Sequence, residues 1–526
     1  MIDSNLYAPS KYNIVSEIEK FAQDEKRKAL IIVDEKQQIK YVSYKQLMQL
    51  ANRYANVFTN KGFKKGDIML IMLPKSLEVY AVYIAALKMG LQIIPCSDQL
   101  RAKDIDYRIQ HAKAKGLIYH ANYIQEVSQL HSLNEIKLFV IDASNHTETS
   151  LNWLAEKAQD AFETVVTQAS DIAFIAYTSG TTGTPKGAIH PHAWGYVHLK
   201  TVVKDWLNIK EHDIVWATAA PGWQKWIWSP FLATLGSGAT ALVFEGKFQA
   251  EAYLKLIASF NVNVLCCTPT EYRMMIKSEQ FLHTNLSTLR SAVSAGEPLN
   301  REVIETFKEA HHVQVRDGYG QTENTLLVGT MHHMEARPGS MGKPTPGNIV
   351  EIIDFLGEAV PVGQVGDIAV HIESPALFKG YYNEPERTAM QFRGDWYITG
   401  DRARKDEDGY FWFEGRADDM IISAGYTIGP FDIEDALLKH PLVQECAVVA
   451  SPDEIRGNIV KAYVVLKDFE DRKRDGIIEE IQNHVKAIMA PYSYPREIEF
   501  LEELPKTMSG KIRRVELRRR AQNKIV

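Results

Sequence analysis

The chain has 526 residues, 45% hydrophobic and 24% charged, which is long enough for several domain-sized units of an ordinary globular protein. A net charge of -6 and a pI near 6.3 argue against a general nucleic-acid binder, which needs a basic surface to neutralise phosphates. Four cysteines without a C-x-x-C pair predict buried reduced thiols, and they are Cys96, Cys266, Cys267 and Cys446.

The N-terminal sequence MIDSNLYAPSKYN does not have the charged-then-apolar pattern of a secretory signal. The most apolar region, 68–95, is interrupted by Pro74, Lys75, Glu78 and Lys88. It therefore falls short of the roughly 18 to 20 apolar residues that a membrane-spanning helix needs. We expect a cytoplasmic protein.

The same region predicts a strand–helix–strand unit. Residues 68–73 suit a strand buried on both faces, and Pro74 ends it. Residues 77–89 carry apolar side chains at helical spacing, Gly90 is a natural helix end, and 91–95 begins the next strand. Short apolar runs recur at 172–177, 262–267 and 289–293. This alternation predicts a mainly parallel α/β sheet.

The composition changes after about residue 345, where glycine and proline become frequent between short segments. We predict a β-rich subdomain at about 345–414, followed by a small α+β unit with strands at 446–450 and 462–466 and a helix near 477–489. The last segment, 501–526, is basic, and a solvated helix face is the expected role of the arginines at 518–520. The predicted fold is α/β, with a large N-terminal domain of parallel sheets and a small α+β C-terminal domain.

The most informative segment follows the strand predicted at 172–177. Its hydroxyls and backbone N–H groups alternate with glycines that let the chain approach an anion closely. It is not a Walker A loop, because Pro185 stands five residues after Gly180 and Lys186 is followed by Gly187. A flexible surface loop would be the bland alternative, but we interpret the segment as a nucleotide-phosphate loop. Its residues are Thr178, Ser179, Gly180, Thr181, Thr182, Gly183, Thr184, Pro185, Lys186 and Gly187.

This loop resembles the signature of the adenylate-forming superfamily, which includes acyl-CoA synthetases, luciferases and the adenylation domains of peptide synthetases. Further segments match in the family's order: AGEPL at 295–299, DGYGQTE at 317–323, TGD at 399–401, GRADD at 415–419 and PKTMSGK at 505–511. The resemblance implies activation of a carboxylic acid with ATP.

The resemblance also implies roles for individual residues. Thr178 to Lys186 would wrap the β- and γ-phosphates, and Glu323 with the Thr178 hydroxyl would hold Mg²⁺, a cation that prefers oxygen ligands. Asp401 would accept both ribose hydroxyls, with Arg416 nearby. The segments expected to frame the adenine are Gly296, Glu297 and Pro298, and Asp317, Gly318, Tyr319, Gly320, Gln321 and Thr322.

Lys511 would neutralise charge as the carboxylate attacks the α-phosphate. It completes a catalytic set with Lys186, Glu323 and Thr178. Asp418 resembles the family's hinge, which implies an N-terminal domain at 1–417 and a mobile C-terminal domain at 418–526 that serves two half-reactions.

Within the family, the C-terminal third is similar to medium-chain acyl-CoA synthetases. The positions that would hold coenzyme A are Ala424, Gly425, Tyr426, Arg456, Lys486, Tyr494, Pro495 and Arg496. Thr427 stands where these enzymes usually carry arginine at the acyl adenylate, and a neutral hydroxyl cannot replace a bidentate guanidinium.

The acid itself is constrained by two features. Residues 214–244 contain no acidic side chain to pair with a substrate ammonium, which disfavours amino acids. Trp223, and less decisively Trp226 and Trp228, suggest an apolar acyl pocket, while Lys225 is expected to be a surface charge. Acetyl-CoA synthetases have a tryptophan where this chain has Gly320, so we expect room for a short-to-medium, possibly branched, aliphatic acid.

Three other functions remain open from the sequence. The enzyme could load a carrier protein instead of coenzyme A, or the chain could bind an acyl adenylate or nucleotide without catalysis, or its basic tail could bind nucleic acid. We also expect regulation of Lys511 by a lysine acyltransferase and deacylase, because acylation removes its charge. The sequence is compatible with a monomer or a homodimer.

Overall fold

The structure, a computed structural model, describes residues 4–142, 147–178, 184–297, 299–423, 426–453, 456–489, 493–506 and 512–522. Several predicted site residues lie outside these ranges: Ser179, Gly180, Thr181, Thr182, Gly183, Pro298, Ala424, Gly425 and Lys511. Of Tyr426 and Thr427 the structure describes only the backbone.

Strands occur along the whole described chain. Strands β1 to β13 are Lys28–Val33, Ile39–Ser43, Ile68–Met72, Gln92–Pro95, Gly116–His120, Lys137–Ile141, Ile172–Thr178, Lys186–Pro191, Ile214–Ala217, Thr240–Phe244, Val264–Cys267, Ser291–Ala295 and Val315–Gly320. Strands β14 to β25 are Leu326–Gly329, Ser340–Pro344, Val350–Ile353, Gly366–His371, Phe392–Arg393, Trp396–Lys405, Phe411–Arg416, Ile421–Ser423, Tyr426–Ile428, Val443–Asp453, Gly457–Leu466 and Glu497–Phe500.

The helices fill the connections between these strands. Helices α1 to α16 are Ser16–Glu19, Tyr44–Asn60, Leu77–Lys88, Ala102–Ala112, Ile124–Val127, Leu151–Glu156, His192–His198, Gln224–Trp226, Thr234–Gly236, Ala250–Ser259, Pro269–Ile276, Arg301–His311, Pro385–Ala389, Pro430–Leu438, Ile477–Ile488 and Arg514–Gln522. Leu199–Leu207 and Ile227–Ala233 are π-helical.

One sheet contains the predicted strand–helix–strand unit and has the order β6-β5-β3-β4-β7-β8. Strand β3 is buried throughout, as predicted, and α3 is buried from Val79 to its end. The Ser76 hydroxyl caps α3 by accepting a hydrogen bond from the Val79 N–H. Gly90 ends the connection with a φ of 68°, a conformation that glycine adopts without a Cβ penalty. The prediction for 68–95 is confirmed.

A larger sheet, with 14 strands among the described residues, contains the consecutive strands β2-β1-β10-β9-β11-β12-β13-β14, and its pairs from β1 to β13 are parallel. The carboxyl ends of β9, β11, β12 and β13 therefore share one edge, which is where α/β sheets bind ligands. The strand predicted at 289–293 begins at Ser291, because Leu289 donates its N–H to Leu286 and closes a turn first.

Contacts divide the chain into two compact units. The first comprises residues up to 338 with 342–349 and 371–395, and the second comprises 339–341, 350–370 and the residues from 396 onward. Segments 350–370 and 396–417 thus cluster with the C-terminal part, although the predicted boundary assigned them to the N-terminal domain. The boundary at 417/418 concerns which parts move together, and it stays a prediction.

The second unit contains the predicted C-terminal α+β elements. The strands predicted at 446–450 and 462–466 lie within β23 and β24, and α15 occupies the predicted helix. Strand β24 pairs with β23 on one side and β25 on the other. The buried faces of α14, α15 and these strands form one apolar core.

All four cysteines are buried free thiols, as predicted. Among the described residues, no helix combines the length and apolar content required to cross a bilayer.

Candidate functional site

The predicted phosphate loop joins two antiparallel strands, so its ends are held together. Strand β7 ends at Thr178, β8 begins at Lys186, and these two residues pair across the ladder. The Thr178 Oγ1 atom is buried and has no hydrogen-bond partner among the described residues. Thr184 is exposed, and its carbonyl accepts a 3.1 Å hydrogen bond from Arg387.

Lys186 and Glu323 form a largely buried ion pair that a tyrosine completes. The Lys186 Nζ lies 3.3 Å from Glu323 Oε1, and Glu323 is only 7% exposed. The buried Tyr381 donates its hydroxyl hydrogen to the same Oε1 at 2.8 Å and accepts a hydrogen bond from Lys186. Lys186 also lies 4.2 Å from the centroid of the tyrosine ring, within cation–π range. The described contacts of the carboxylate thus all fall on Oε1, which leaves Oε2 available for a further ligand.

Tyr381 belongs to a segment that extends the edge of β8. Ile189 donates its N–H to the Gly380 carbonyl at 3.0 Å, and Tyr382 donates to the Gly187 carbonyl at 2.8 Å. The sequence analysis missed Tyr381, because it lies 195 positions from Lys186 in the chain. Its only sequence signal is a pair of tyrosines after a glycine, which is common in loops.

Buried groups of β8 and α7 hold the turn that carries Glu323. His190 donates from Nε2 to the Thr322 carbonyl at 2.6 Å, and Trp194 donates from its indole to the Asn324 carbonyl at 3.0 Å. His198 donates from Nε2 to the Trp228 carbonyl at 2.9 Å, so its Nδ1 accepts the hydrogen bond of 2.6 Å from the Thr325 hydroxyl. Burial lowers the pKa of His190 and His198 to about 4, which keeps both rings neutral near pH 7.

Asp317 faces the interior rather than an open cleft. Its carboxylate accepts hydrogen bonds from the Gly318 N–H at 2.8 Å and from the Leu299 N–H at 3.5 Å. Burial raises the pKa of this carboxyl to about 7, while the two backbone hydrogen bonds and Lys225 oppose the rise. Asp317 therefore ties the segment after β12 to strand β13.

The two segments expected to frame the adenine lie side by side. Ala295 of β12 pairs with Gly318 of β13, and Gly296 follows with a φ of 108°. Glu297 accepts a 3.2 Å hydrogen bond from the Thr270 hydroxyl and is tied to α11. Tyr319, Gly320, Gln321 and Thr322 continue from the same edge and are half-buried.

Gly320 has a structural role that the sequence analysis did not anticipate. A Cβ at this position would lie 2.3 Å from the Thr325 carbonyl oxygen and 3.0 Å from Cη2 of Trp228. The close approach of that backbone requires glycine here, so substitution would shift the turn that carries Glu323. The glycine at 320 is therefore explained by the nearby backbone, and it is not by itself evidence for a long acyl pocket.

The tryptophans after β9 have different environments. Trp226 stacks on Phe231 with ring centroids 5.4 Å apart and packs against Tyr80 and Tyr83, so it belongs to the core. Trp228 lies against Gly320, whereas Trp223 is 42% exposed. The expectation that Lys225 is a surface charge is wrong, because its Nζ donates a 2.8 Å hydrogen bond to the Ala295 carbonyl.

In the second unit, the residues expected at the ribose meet. Asp401 of β19 pairs with Arg416 of β20, and their side chains lie 3.7 Å apart. Asp401 is nearly buried, whereas the Arg416 side chain is half-exposed. The predicted hinge residue Asp418 lies between two arginines, 3.6 Å from Arg416 and 3.7 Å from Arg518. Arg518 also pairs with Asp419, so its predicted role as a solvated charge is wrong.

Part of the predicted coenzyme A set forms a cationic cluster around Tyr494. Lys486 lies 4.4 Å from the ring centroid, Arg496 lies 4.9 Å from it, and Arg496 donates a 3.0 Å hydrogen bond to the tyrosine hydroxyl. The Pro495 carbonyl accepts a 3.0 Å hydrogen bond from Gln482, which orders the segment. The backbone N–H of Arg456 instead donates a 2.8 Å hydrogen bond to the Asp453 carboxylate.

The described neighbours of the 507–511 segment are firmly anchored. Lys506 pairs with Ile512 by an antiparallel bridge and with Glu445 at 2.8 Å. Nη2 of Arg514 donates to both carboxylate oxygens of the buried Glu434, each at 2.7 Å. The described residues on either side of 507–511 are therefore held by contacts within the second unit.

Comparison with known proteins identifies the class. The profile of the AMP-binding enzyme family matches residues 18–382, and that of the AMP-binding enzyme C-terminal domain matches 432–511. The chain belongs to the AMP-binding enzyme family.

Relatives cover nearly the whole chain. It is 57% identical over 517 residues to the uncharacterized acyl-CoA ligase YtcI of Bacillus subtilis, covering 98% of this chain and 97% of that protein. It is 41% identical over 491 residues to the mitochondrial acyl-coenzyme A synthetase ACSM3 of Rattus norvegicus, covering 91% and 84%.

Solved structures have the same fold. The anthranilate CoA ligase AuaEII in complex with anthranoyl-AMP is 29% identical, with a TM-score of 0.91 over 98% of this chain and 99% of that one. ATP-bound MatB from Rhodopseudomonas palustris is 26% identical, with a TM-score of 0.88 over 98% and 99%. The predicted adenylate-forming fold, with a large N-terminal and a small C-terminal α/β domain, is confirmed.

Proposed function

We propose that this protein is an AMP-forming acyl-CoA synthetase. It would convert a carboxylic acid and ATP to acyl-AMP and pyrophosphate, and then transfer the acyl group to coenzyme A with release of AMP. The observation that carries the proposal is the Lys186–Glu323–Tyr381 cluster at the base of the phosphate loop, in a chain whose relatives are named acyl-CoA ligases and synthetases.

The first half-reaction needs the phosphates held and their charge offset. Lys186 and the hydroxyls from Thr178 to Thr184 would bind the β- and γ-phosphates, and Asp401 with Arg416 would bind the ribose. The backbone of the 295–297 and 317–322 segments would bind the adenine. The Asp317 carboxylate would order that backbone by accepting the hydrogen bond from the Gly318 N–H. Lys511 would offset the charge that develops at the α-phosphate, an electrostatic contribution typical of phosphoryl transfer.

The site has two oxygens suited to a magnesium ion. Glu323 Oε2 is not engaged by the described contacts, and the buried Thr178 Oγ1 has no partner among the described residues. A carboxylate and a hydroxyl are donors that Mg²⁺ accepts, while phosphates and waters complete its octahedron. Bound there, the ion would neutralise phosphate charge.

Replacing Tyr381 by phenylalanine should weaken the apparent affinity for Mg²⁺ during adenylation without unfolding the protein. The ring and its contact with Lys186 remain, but Glu323 loses a hydrogen bond that orients Oε2. Hydrogen bonds to charged groups contribute about 1.5–3 kcal/mol, so we expect the Mg²⁺ concentration for half-maximal rate to rise about 10- to 100-fold. Magnesium titration of pyrophosphate release measures this, with Tyr382→Phe as control. An unchanged titration would contradict the orienting role.

The second half-reaction requires a site for coenzyme A. Lys486, Arg496 and Tyr494 supply positive charge and an aromatic face for the phosphates and adenine. Lys486 also lines a groove of about 550 Å³ with Arg472, Lys473 and Arg474. The proposed coenzyme A site also includes Arg456, Ala424, Gly425, Tyr426 and Pro495.

The acid is proposed to be short to medium in length, with a straight or branched chain. The stretch 214–244 contains no acidic residue for a substrate ammonium. Trp223, Gly320 and Thr427 would lie at the acyl chain. We further propose a cytoplasmic enzyme, monomeric or homodimeric, that is silenced by acylation of Lys511. Intact-mass spectrometry that detects no acyl adduct in inactive preparations from the native host would count against that regulation.

The decisive test is a panel of acids from acetate to dodecanoate with branched and aromatic members, assayed for AMP and acyl-CoA. We expect acid-dependent AMP with an equal amount of acyl-CoA for at least one short or medium member. Absence of acid-dependent AMP for every member would overturn the proposal. Acyl transfer to a carrier protein, but never to free coenzyme A, would favour the loading function instead.

A further inference from the structure

The start of α8 lies between the end of β4 in one sheet and the end of β12 in the other. A Cβ on Gly222 would lie 2.4 Å from the backbone N of Ser97, just beyond the end of β4. Lys225 reaches the other sheet, where its Nζ binds the carbonyl of Ala295 at the end of β12. Since ligands of open α/β sheets bind in the crevice at these strand ends, α8 begins at that crevice.

Gln224 lies between these two contacts and is only 7% exposed. Neither its Oε1 nor its Nε2 has a hydrogen-bond partner among the described residues. One helical turn later, Trp228 is also 7% exposed, and its Nε1 has no partner among them either. Gln224 is in α8 and Trp228 is the second residue of the π-helical stretch Ile227–Ala233 that continues it, so the two side chains leave one continuous helix about one turn apart and on the same side.

Trp228 connects this face to the proposed acyl pocket. Its Cη2 atom would lie 3.0 Å from a Cβ on Gly320, at the end of β13. The polar pair therefore lies among the ends of β4, β12 and β13, next to residues proposed to contact the adenylate.

Buried polar groups are rarely left unpaired, because a buried donor or acceptor without a partner loses its hydrogen bonds to water and gains none in return. Three unpaired atoms on one face of the crevice indicate an occupant that both accepts and donates hydrogen bonds. A hydroxyl is the smallest substrate group with that ability: it can accept from the Trp228 N–H and donate to Gln224 Oε1. An alkyl chain would leave all three atoms unsatisfied.

We infer that Gln224 and Trp228 recognise a hydroxyl group on the acyl chain, so that the preferred substrate is a short hydroxy acid rather than a plain alkyl acid. This inference rests on the proposed acyl-CoA synthetase activity and names its substrate class. A site that hydrogen-bonds a substrate hydroxyl discriminates strongly against the analogue that lacks it.

The test uses matched pairs of acids that differ by one hydroxyl: propionate and 2-hydroxypropionate, butyrate with 3- and 4-hydroxybutyrate, and isobutyrate and 3-hydroxyisobutyrate. We expect a kcat/KM for acyl-CoA formation at least about tenfold higher for the hydroxy member of one or more pairs. Gln224→Met keeps the side-chain length and should lower this ratio to near one, because kcat/KM falls for the hydroxy member and not to a similar extent for the alkyl member. Trp228→Phe should lower it in the same direction.

Gln314→Leu is the matched control, because this half-buried glutamine precedes β13 at its opposite end and donates its amide to the Met334 carbonyl. The control should keep the wild-type ratio. If Gln224→Met fails to fold by circular dichroism, Gln224→Leu and Trp228→Phe carry the test. Alkyl acids preferred in every pair, or a ratio that neither substitution moves, would overturn the inference while the proposed function stands. No acid-dependent AMP at all would overturn both.

Discussion

Replacement of Lys511 by alanine is expected to lower the rate of acid-dependent adenylation by about 100- to 1,000-fold, the usual effect of removing one group that stabilises transition-state charge. The second half-reaction breaks the acyl–phosphate bond with the coenzyme A thiol and does not need the same group. Thioester formation from supplied acyl-AMP should therefore keep most of its rate.

The two half-reactions can be measured separately in the same preparation. Pyrophosphate release reports adenylation, and acyl-CoA formed from synthetic acyl-AMP and coenzyme A reports transfer. Arg513→Ala is the matched control, since Arg513 is an exposed cation two positions later whose ion pair is with Glu516. Equal losses in both steps for Lys511→Ala would contradict a role restricted to adenylation.

A second large effect is expected on stability, from Arg514→Met. Arg514 donates from Nη2 to both oxygens of Glu434, which is 7% exposed and also accepts a 2.8 Å hydrogen bond from the Val448 N–H. Methionine would leave a buried carboxylate without its cation. Breaking a buried pair in this way costs about 3–5 kcal/mol, so we expect the unfolding free energy of the second unit to fall by that amount.

Urea unfolding followed by circular dichroism measures the loss, and Arg519→Met is the control. Arg519 is exposed on the same helix, and such surface changes usually shift stability by less than about 0.5 kcal/mol. The double variant Glu434→Gln/Arg514→Met removes the charge but keeps an acceptor for Val448, and it should recover part of the stability. Equal stabilities of Arg514→Met and the control would mean that water solvates Glu434.

Both predictions concern the same stretch of chain. Arg514 and Lys506 fix the described residues on either side of 507–511, and Lys511 is the last residue of that segment. Weakening the Arg514 anchor should therefore also affect adenylation more than transfer, although the fall in stability is the primary effect.

Much of the fold was readable because its signals are local. The apolar run of β3, the proline after it, and Gly90 at the end of the α3 connection act within a few residues of themselves, so strand, helix and turn follow from neighbouring side chains. The motif positions were readable for a related reason. Phosphate, ribose and metal binding demand particular residue types at short spacing, and such spacing survives in the linear order.

The arrangement of the site depended instead on contacts between distant segments. Tyr381 meets Lys186 and Glu323 because the 380–382 segment adds to β8, and His190 and His198 reach the 322–325 turn through the β8–α7 connection. No local pattern marks these residues, since a tyrosine or histidine acquires its role only from the partners that folding supplies.

The linear sequence was thus enough to predict a phosphate loop, the order of the motifs and the α/β class, because their signals are local. The tertiary structure alone decided that Trp226 is core whereas Trp228 lies against Gly320, why Gly320 must be glycine, and that Gln224 is buried with its carboxamide unpaired among the described residues. Burial and hydrogen-bond satisfaction are properties of surroundings that converge in space, and the identity of a single side chain does not contain them.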